Sequence, residues 1–427
     1  PMDIKTLLRM PARLYYGWRM VAVGSAIRIL GGGLHLYGFT VFFLPLSRDL
    51  GLSRAATSLV FSLARAEGAI EGPVAGYMID RFGPRPVMLT AIVLSGIGYM
   101  LFATVNSYAT FLLVYLGVIS LAFGAGFMHS PMVIANTWFV RRRAFAMTLI
   151  SASISVGGTL ISPLLASAVR VWGWRQAALA AGIGLLIVGI PLASFVRRSP
   201  ESIDLLPDGD PPRDQDGAAG GPGGRGFASE TEFTLKQAMR TSAYWMMIFA
   251  TMVRVAGFGT MMVHFIPIMV WKGVDERQAA YLLATFAFLS LPAHLLLGWL
   301  ADSVSKPRLM AVAMLVGTVG LLSLILGRSE WTLWLFAVLF TTAEAIFPVT
   351  WATVGDFFGR KNFGTIRGTM SFFYMWGAVA GPVVAGAVYD RTHSYGPMLP
   401  WLAVLFLVGA ALYGLLVRPA TPRAATT

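Results

Sequence analysis

Cysteine is absent from the 427 residues, which excludes a disulfide framework, a thiolate metal site and a cysteine nucleophile, and leaves the redox compartment unmarked. Charge is scarce: Asp, Glu, Lys and Arg together make up 12% of the chain, about half the share usual in soluble domains. Carboxylates are scarcer than cations, 20 against 33. Phosphate-binding loops are missing too. The clusters Gly31-Gly32-Gly33, Gly124-x-Gly126 and Gly157-Gly158 match no nucleotide-loop pattern and follow no strand, so close helix packing accounts for them. With no metal-ligand spacing and no nucleophile elbow, neither an enzyme nor a nucleotide-driven pump is expected, and no cofactor or metal is implied.

What the chain has instead is 56% hydrophobic residues and a mean hydropathy of +0.68. The apolar residues come in runs of about 20 or more, the thickness of a bilayer core. About twelve spans can be read, near 17–45, 53–79, 86–105, 109–138, 144–169, 174–196, 242–271, 277–301, 308–327, 331–357, 365–389 and 397–418. The predicted fold class is therefore an all-α membrane protein of twelve transmembrane helices. The formal charge of +13 is explained by where the cations fall. Lys5, Arg9, Arg81, Arg85, the Arg141-Arg142-Arg143 run, Arg197, Arg198, Arg240, Lys306, Arg308, Arg360, Lys361 and Arg367 gather on one side of the membrane, the cytoplasmic side by the positive-inside rule. Both termini are expected there, in the cell inner or plasma membrane, and no nucleic-acid partner is needed. Residues 1–16 read as a short basic tail, and the apolar stretch after them as a first membrane helix rather than a cleaved signal.

Residues 197–240 break the hydrophobic pattern with Pro200, Pro207, Pro211, Pro212 and the stretch Gly217 to Gly226, the composition of a flexible polar linker. This divides the chain into a six-helix bundle over 1–196, a cytoplasmic linker over 197–240 and a second bundle over 241–427. Thr234 to Arg240 is expected to form a short helix leading into span 7. Internal repetition points to duplication. Phe139, Gly158 and Pro163 recur as Phe358, Gly377 and Pro382 at a common offset of 219 residues. Gly76-x-x-x-Asp80 after span 2 matches Gly298-x-x-x-Asp302 after span 8, and Arg28-x-x-Gly31-x-Gly33 in span 1 matches Arg254-x-x-Gly257-x-Gly259 in span 7.

The loop Gly76-Tyr-Met-Ile-Asp80-Arg81-Phe-Gly83-Pro-Arg85 resembles the signature loop of the major facilitator superfamily, and its copy over 298–308 falls where that superfamily repeats it. Together with Tyr16-Gly17-Trp18 at the start of span 1, it also resembles the bacterial monocarboxylate and oxalate:formate transporter branches. The resemblance implies two pseudo-symmetric six-helix bundles with a central cavity lined by spans 1, 4, 7 and 10. Gly76, Asp80, Arg81, Gly83 and Arg85, with Asp302, are read as a conformational latch. Gly76 allows close helix approach, Gly83 a tight turn, and Asp80 can pair with arginines or with a helix N-terminus when the inner gate is shut.

Charges at mid-membrane cost several kcal/mol and face protein or a watery cavity. Counting helical rise, Arg28 lies about 16 Å into span 1, Arg65 about 18 Å into span 2, Arg254 about 18 Å into span 7 and Glu344 about 20 Å into span 10. Binding at the interface between repeats makes Arg28 and Arg254 candidates to clamp one anion, since guanidinium matches carboxylate or phosphate. Phe258, one turn from Arg254, His35, seven residues from Arg28, and Arg65 are further substrate candidates. Glu344 and His264 are candidates for proton coupling, with His294 behind them. Glu67 and Glu71 in span 2 are expected in a structural ion pair. The alternatives to a clamp are a buried ion pair of an arginine with Glu344, or an arginine satisfied by carbonyls.

These residues suggest a monomeric secondary transporter that moves a small organic anion, a mono- or dicarboxylate, by alternating access with proton symport. Anion exchange is the runner-up. Three mid-membrane arginines speak against a multidrug exporter of cations, too few Asn and Gln against a sugar carrier, and the plain linker and tails against a receptor.

Overall fold

Helices that satisfy their own backbone groups are the form such apolar segments take in lipid, and among the described residues every regular element is helical. The computed structural model describes residues 15–52, 54–209, 232–327 and 329–420. In the first bundle α1 runs over Tyr16–Gly31, a π-helical turn Gly32–Tyr37 and Gly38–Asp49. It is followed by α2 (Arg54–Phe82), α3 (Pro84–Phe102), α4 (Tyr108–Trp138), α5 (Arg143–Trp172) and α6 (Trp174–Ser194). The second bundle comprises α7 (Ser242–Val263), α8 (Glu276–Ala301), α9 (Lys306–Leu326), α10 (Glu330–Phe358), α11 (Phe363–Thr392) and α12 (Met398–Gly414). Ten of these are long and apolar enough to cross a membrane. The other two are α2, with Arg65, Glu67 and Glu71 in its middle, and the 17-residue α12.

Two helices are interrupted where proline follows. α10 breaks at Ile346, just before Pro348, and α7 ends at His264 before a separate helix Phe265–Trp271 that contains Pro267. Each proline lacks the N–H that would continue the ladder. Gly83, with φ of 89°, turns the chain so tightly that α3 starts at Pro84 directly after α2, a conformation open to glycine at little cost.

The duplication is visible in the packing. α1 lies along α5, and α7 along α11. A Cβ at Gly33 would come 2.7 Å from the Gly157 carbonyl oxygen, and one at Gly381 would come 2.6 Å from that of Ala256. The two bundles meet through α2 against α11 and α5 against α8.

The described ends of the linker are pinned. Asp208 accepts the Val140 and Arg141 N–H groups at 3.1 and 2.9 Å, and Glu232 accepts those of Arg360 and Lys361 at 3.1 and 2.8 Å. These are equivalent loops, α4–α5 and α10–α11. The short helix expected before span 7 forms over Leu235–Met239, where the Thr234 hydroxyl accepts the Gln237 N–H and the Gln237 side chain returns to Thr234 N–H, a capping box.

Candidate functional site

Arg254 is 2% exposed on α7. Its Nη1 donates to the Ala343 carbonyl at 3.3 Å, and its guanidinium lies 4.9 Å from the centre of the Phe347 ring. The break in α10 at Ile346 produces both contacts, one from the end of the first segment and one from the start of the second. Nε and Nη2 have no hydrogen-bond partner. That pair of N–H groups is an edge of the fork that engages a carboxylate in two parallel bonds.

Arg28, 3% exposed on α1, is held no better. Nη1 reaches the Met128 carbonyl at 3.4 Å, Nη2 reaches the Met128 sulfur at 3.6 Å, and Nε is unpaired. A thioether is a weak acceptor. Among the described residues Arg28 does not meet Arg254 directly. It lies instead against the Met128–His129 segment of α4, which also meets Arg367 of α11. Arg367 is 3% exposed, is bonded through Nη1 to His129 Nδ1 of α4 at 2.6 Å, and sits 4.7 Å from the Trp351 ring centre. Trp351 is 5.7 Å from Phe347, edge to face. Arg254, Phe347, Trp351, Arg367 and His129 thus form a chain of contacts from the second bundle to the first, with Arg28 beside its far end.

Arg367, His129 and Trp351 escaped the sequence reading. Arg367 was grouped with the loop cations, although it follows the loop by only a turn of helix, and that turn carries it inside. The glycines of the repeated Arg-x-x-Gly pattern do not open space beside the guanidinium groups. Gly31 makes room for Phe127 and Gly257 for Phe406.

The remaining candidates fall elsewhere. Glu344 is half-buried and accepts the Ser290 hydroxyl at 2.6 Å, while His294 Nδ1 lies 2.7 Å from the Ser290 carbonyl. Arg254 and Glu344 form no ion pair among the described residues. His35 is stacked between Phe123 at 4.2 Å and Tyr115 at 5.4 Å inside the first bundle. The π turn over Gly32–Tyr37 slips the helix register between Arg28 and His35, so the seven-residue spacing no longer puts them on one face. His264 is bonded to the Tyr395 hydroxyl at 3.0 Å and the Pro382 carbonyl at 3.1 Å. Phe258 stacks 6.4 Å from Phe340 and lies 6.2 Å from Phe286. The side chain of Arg65 lies outside the described residues. Among the described residues both Glu71 carboxylate oxygens are buried without a partner, against Gly124, where a side chain would collide with them, and any ion pair of α2 with Arg65 lies outside the described residues.

The latch residues do come together. Asp80 accepts the Gly364 and Thr365 N–H groups at 2.9 and 2.6 Å, at the N-terminus of α11. Asp302 accepts those of Ala144 and Phe145 at 2.9 and 3.0 Å, at the N-terminus of α5. Both use the positive end of a helix in the opposite bundle, so the second loop grips as the first does despite lacking its Arg-x-Gly. Gly76 lies directly on the Gly364 backbone. Arg81 donates to the Tyr77 hydroxyl at 2.6 Å, Arg198 holds the Asp80 carbonyl at 3.0 Å, and Arg85 is exposed. Arg143 pairs with Asp356 at 2.6 Å, and Arg360 reaches the Thr137 carbonyl at 2.9 Å. Arg81 and Arg198 brace the first loop from its own side, whereas the contacts of Asp80, Asp302, Gly76, Arg143 and Arg360 cross between bundles, so the face rich in basic loops is shut. Asp302, just beyond the end of α8, has its carboxyl pushed up to about 6, chiefly by burial.

A family model of the Major Facilitator Superfamily matches residues 21–272 and 247–427. Human monocarboxylate transporter 11 is 27% identical over 414 residues, covering 93% of this chain and 82% of that protein. The MFS-type transporter YcxA of Bacillus subtilis (strain 168) is 23% identical over 373 residues, 84% of this chain and 85% of its own. Among solved structures, the fold is similar to the transporter FucP in its outward conformation, with a TM-score of 0.71 at 15% identity over 93% of this chain and 99% of that one. With its twelve membrane helices in two pseudo-symmetric bundles, the chain belongs to the Major Facilitator Superfamily and is a multi-pass membrane transporter of small organic substrates.

Proposed function

We propose that this transporter carries a small organic anion, a carboxylate, by proton symport, with both termini and the basic face on the cytoplasmic side of the plasma or inner membrane. The observation that carries the reading is the unpaired Nε–Nη2 edge of Arg254, buried against α10 with the Ala343 carbonyl and the Phe347 ring as its contacts. An uncompensated buried charge costs several kcal/mol, and an anion that binds there during the transport cycle removes that cost. The similarity to monocarboxylate transporters supports the same class. The sugar-carrying neighbours in the fold comparison, at 16% identity or less, bear on architecture alone.

For coupling we assign Glu344, half-buried on α10 with Ser290 as its partner, as the group that exchanges a proton. His264 is held on both nitrogens and is assigned a packing role. The two bundles, 1–196 and 241–427, move as units about the linker, and one copy of the chain is the working unit.

The test is uptake into proteoliposomes of a labelled monocarboxylate such as butyrate under an imposed pH gradient, with ligand-induced thermal stabilisation measured in parallel. Uptake is expected to follow the proton gradient, and Arg254→Gln to abolish both uptake and stabilisation. Carboxylate stabilisation that survives in Arg254→Gln would overturn the assignment of the site. Uptake indifferent to the gradient but dependent on anion inside the vesicle would replace symport by exchange.

A further inference from the structure

We propose that the substrate is a short dicarboxylate, with one carboxylate on Arg254 and the other on a second pole formed by Arg28, His129 and Arg367. This rests on the anion reading above and narrows it.

Buried charge favours two carboxylates over one. Arg28, Arg254 and Arg367 are each no more than 3% exposed. Their partners are the carbonyls of Met128 and Ala343, the Met128 sulfur, the His129 ring, and the faces of Phe347 and Trp351. Every one of these is uncharged or itself basic. A monocarboxylate would neutralise one guanidinium and leave the other two buried with their charges unanswered. A dicarboxylate answers two of them, one at each pole.

The geometry agrees. Each pole keeps buried N–H groups without a hydrogen-bond partner, Nε and Nη2 on Arg254 and Nε on both Arg28 and Arg367. Arg254 stands over Phe347 and Arg367 over Trp351. These rings are four residues apart on one helix, so the poles are offset by about 6 Å along it. That offset suits a chain of two or three methylenes between carboxylates. The two rings, in contact at 5.7 Å, supply an apolar floor for those methylenes.

The second pole joins the two bundles. Arg254 and Arg367 belong to the second bundle, Arg28 and His129 to the first. The Arg367–His129 bond is therefore a link between bundles, and a carboxylate that takes the Arg367 fork replaces it. A dianion lying across both poles joins the two halves through the substrate itself.

The experiment uses the full-length purified protein and measures thermal stabilisation by succinate, glutarate and butyrate. In the native protein the half-saturating concentration of succinate or glutarate is expected to be at least about tenfold below that of butyrate, the value of one charge-assisted contact. Arg367→Gln should erase the preference by weakening succinate and glutarate at least about tenfold more than butyrate, and Arg367→Lys should restore part of it. Arg28→Gln serves as a second variant of the same pole, should Arg367→Gln fold poorly, and is expected to behave alike. Equal affinity for succinate and butyrate in the native protein, or a proportional loss of both in either Gln variant, would overturn the second pole. The single-anion reading at Arg254 would then stand. If no carboxylate stabilises the native protein, it is that broader reading that fails.

Discussion

Two half-buried carboxylates, Asp80 and Asp302, link the bundles at the basic face, and for Asp302 the consequence can be worked out. In the closed arrangement burial pushes its carboxyl up from 3.8 to about 6; the Phe145 N–H, Lys306 and the Ala144 N–H pull it down, and Asp356 adds to the rise. When the bundles separate, the group returns to water and to its ordinary value. The closed state then binds the proton more tightly than the open state, so closure is favoured below 3.8 and loses that advantage as pH rises through about 6. The whole effect is on the order of 3 kcal/mol, from roughly two pH units at about 1.4 kcal/mol each. Between pH 7.5 and pH 5 the accessible part is about 1.4 kcal/mol, a tenfold change in the ratio of closed to open.

The missing cysteines make the assay direct. Val133 is buried in the cavity, about 580 Å³, that Asp80, Arg360 and Thr365 also line, so a maleimide reaches Val133→Cys chiefly when the face opens. Its rate is divided by that of Ala420→Cys, at an exposed position, which cancels the rise in thiolate with pH. The normalised rate is expected to increase at least about tenfold from pH 5 to pH 7.5 and to be flat in Asp80→Asn/Asp302→Asn. A flat profile in the native chain, or the native slope in the double variant, would refute the reasoning.

Three further outcomes follow from the same contacts. Gly76→Val places a side chain in the Gly364 backbone, so the basic face should stay open, with Val133→Cys labelled rapidly at every pH and uptake at background. Glu232→Gln removes one of the two oxygens that accept the Arg360 and Lys361 N–H groups, and Asp208→Ala removes the single Oδ2 that accepts both the Val140 and Arg141 N–H groups; each is expected to cost about 1–2 kcal/mol, read as a lower thermal midpoint, with substrate affinity unchanged. Under the proposed symport, Glu344→Gln should end the response of uptake to a proton gradient while exchange at equal pH persists, a split visible in the same proteoliposomes.

How far the molecule could be read in advance depended on the range of the interactions. Twelve spans, the linker helix and the Gly83 turn follow from local composition and backbone preference, and they appear close to where they were expected. The latch was legible because duplication wrote Gly-x-x-x-Asp twice. His35 was not, because a π turn between it and Arg28 changes the register without any distinctive residue to announce it. Arg367 was lost for a different reason. Counting cations near span ends orients the chain, but it treats every such arginine as a surface anchor, and only tertiary contact with His129 and Trp351 distinguishes the one that turns inward.

The position of Arg367 in the repeat carries the argument a step further. At the offset of 219 its counterpart in the first half is Thr148, a buried residue wedged against Gly298 where α5 meets α8. His129 corresponds in the same way to Pro348. The latches on the basic face are thus symmetric, Asp80 on α11 mirrored by Asp302 on α5, because opening and closing make the same demand on both halves. The arginines at the centre begin as a symmetric pair, Arg28 and Arg254, and become asymmetric through Arg367 and His129. A gate between two related bundles can keep its twofold relation. A site that must fix a small anion in one orientation, and weigh one end of it differently from the other, cannot, and the changes at 129 and 367 lie where that distinction would be made.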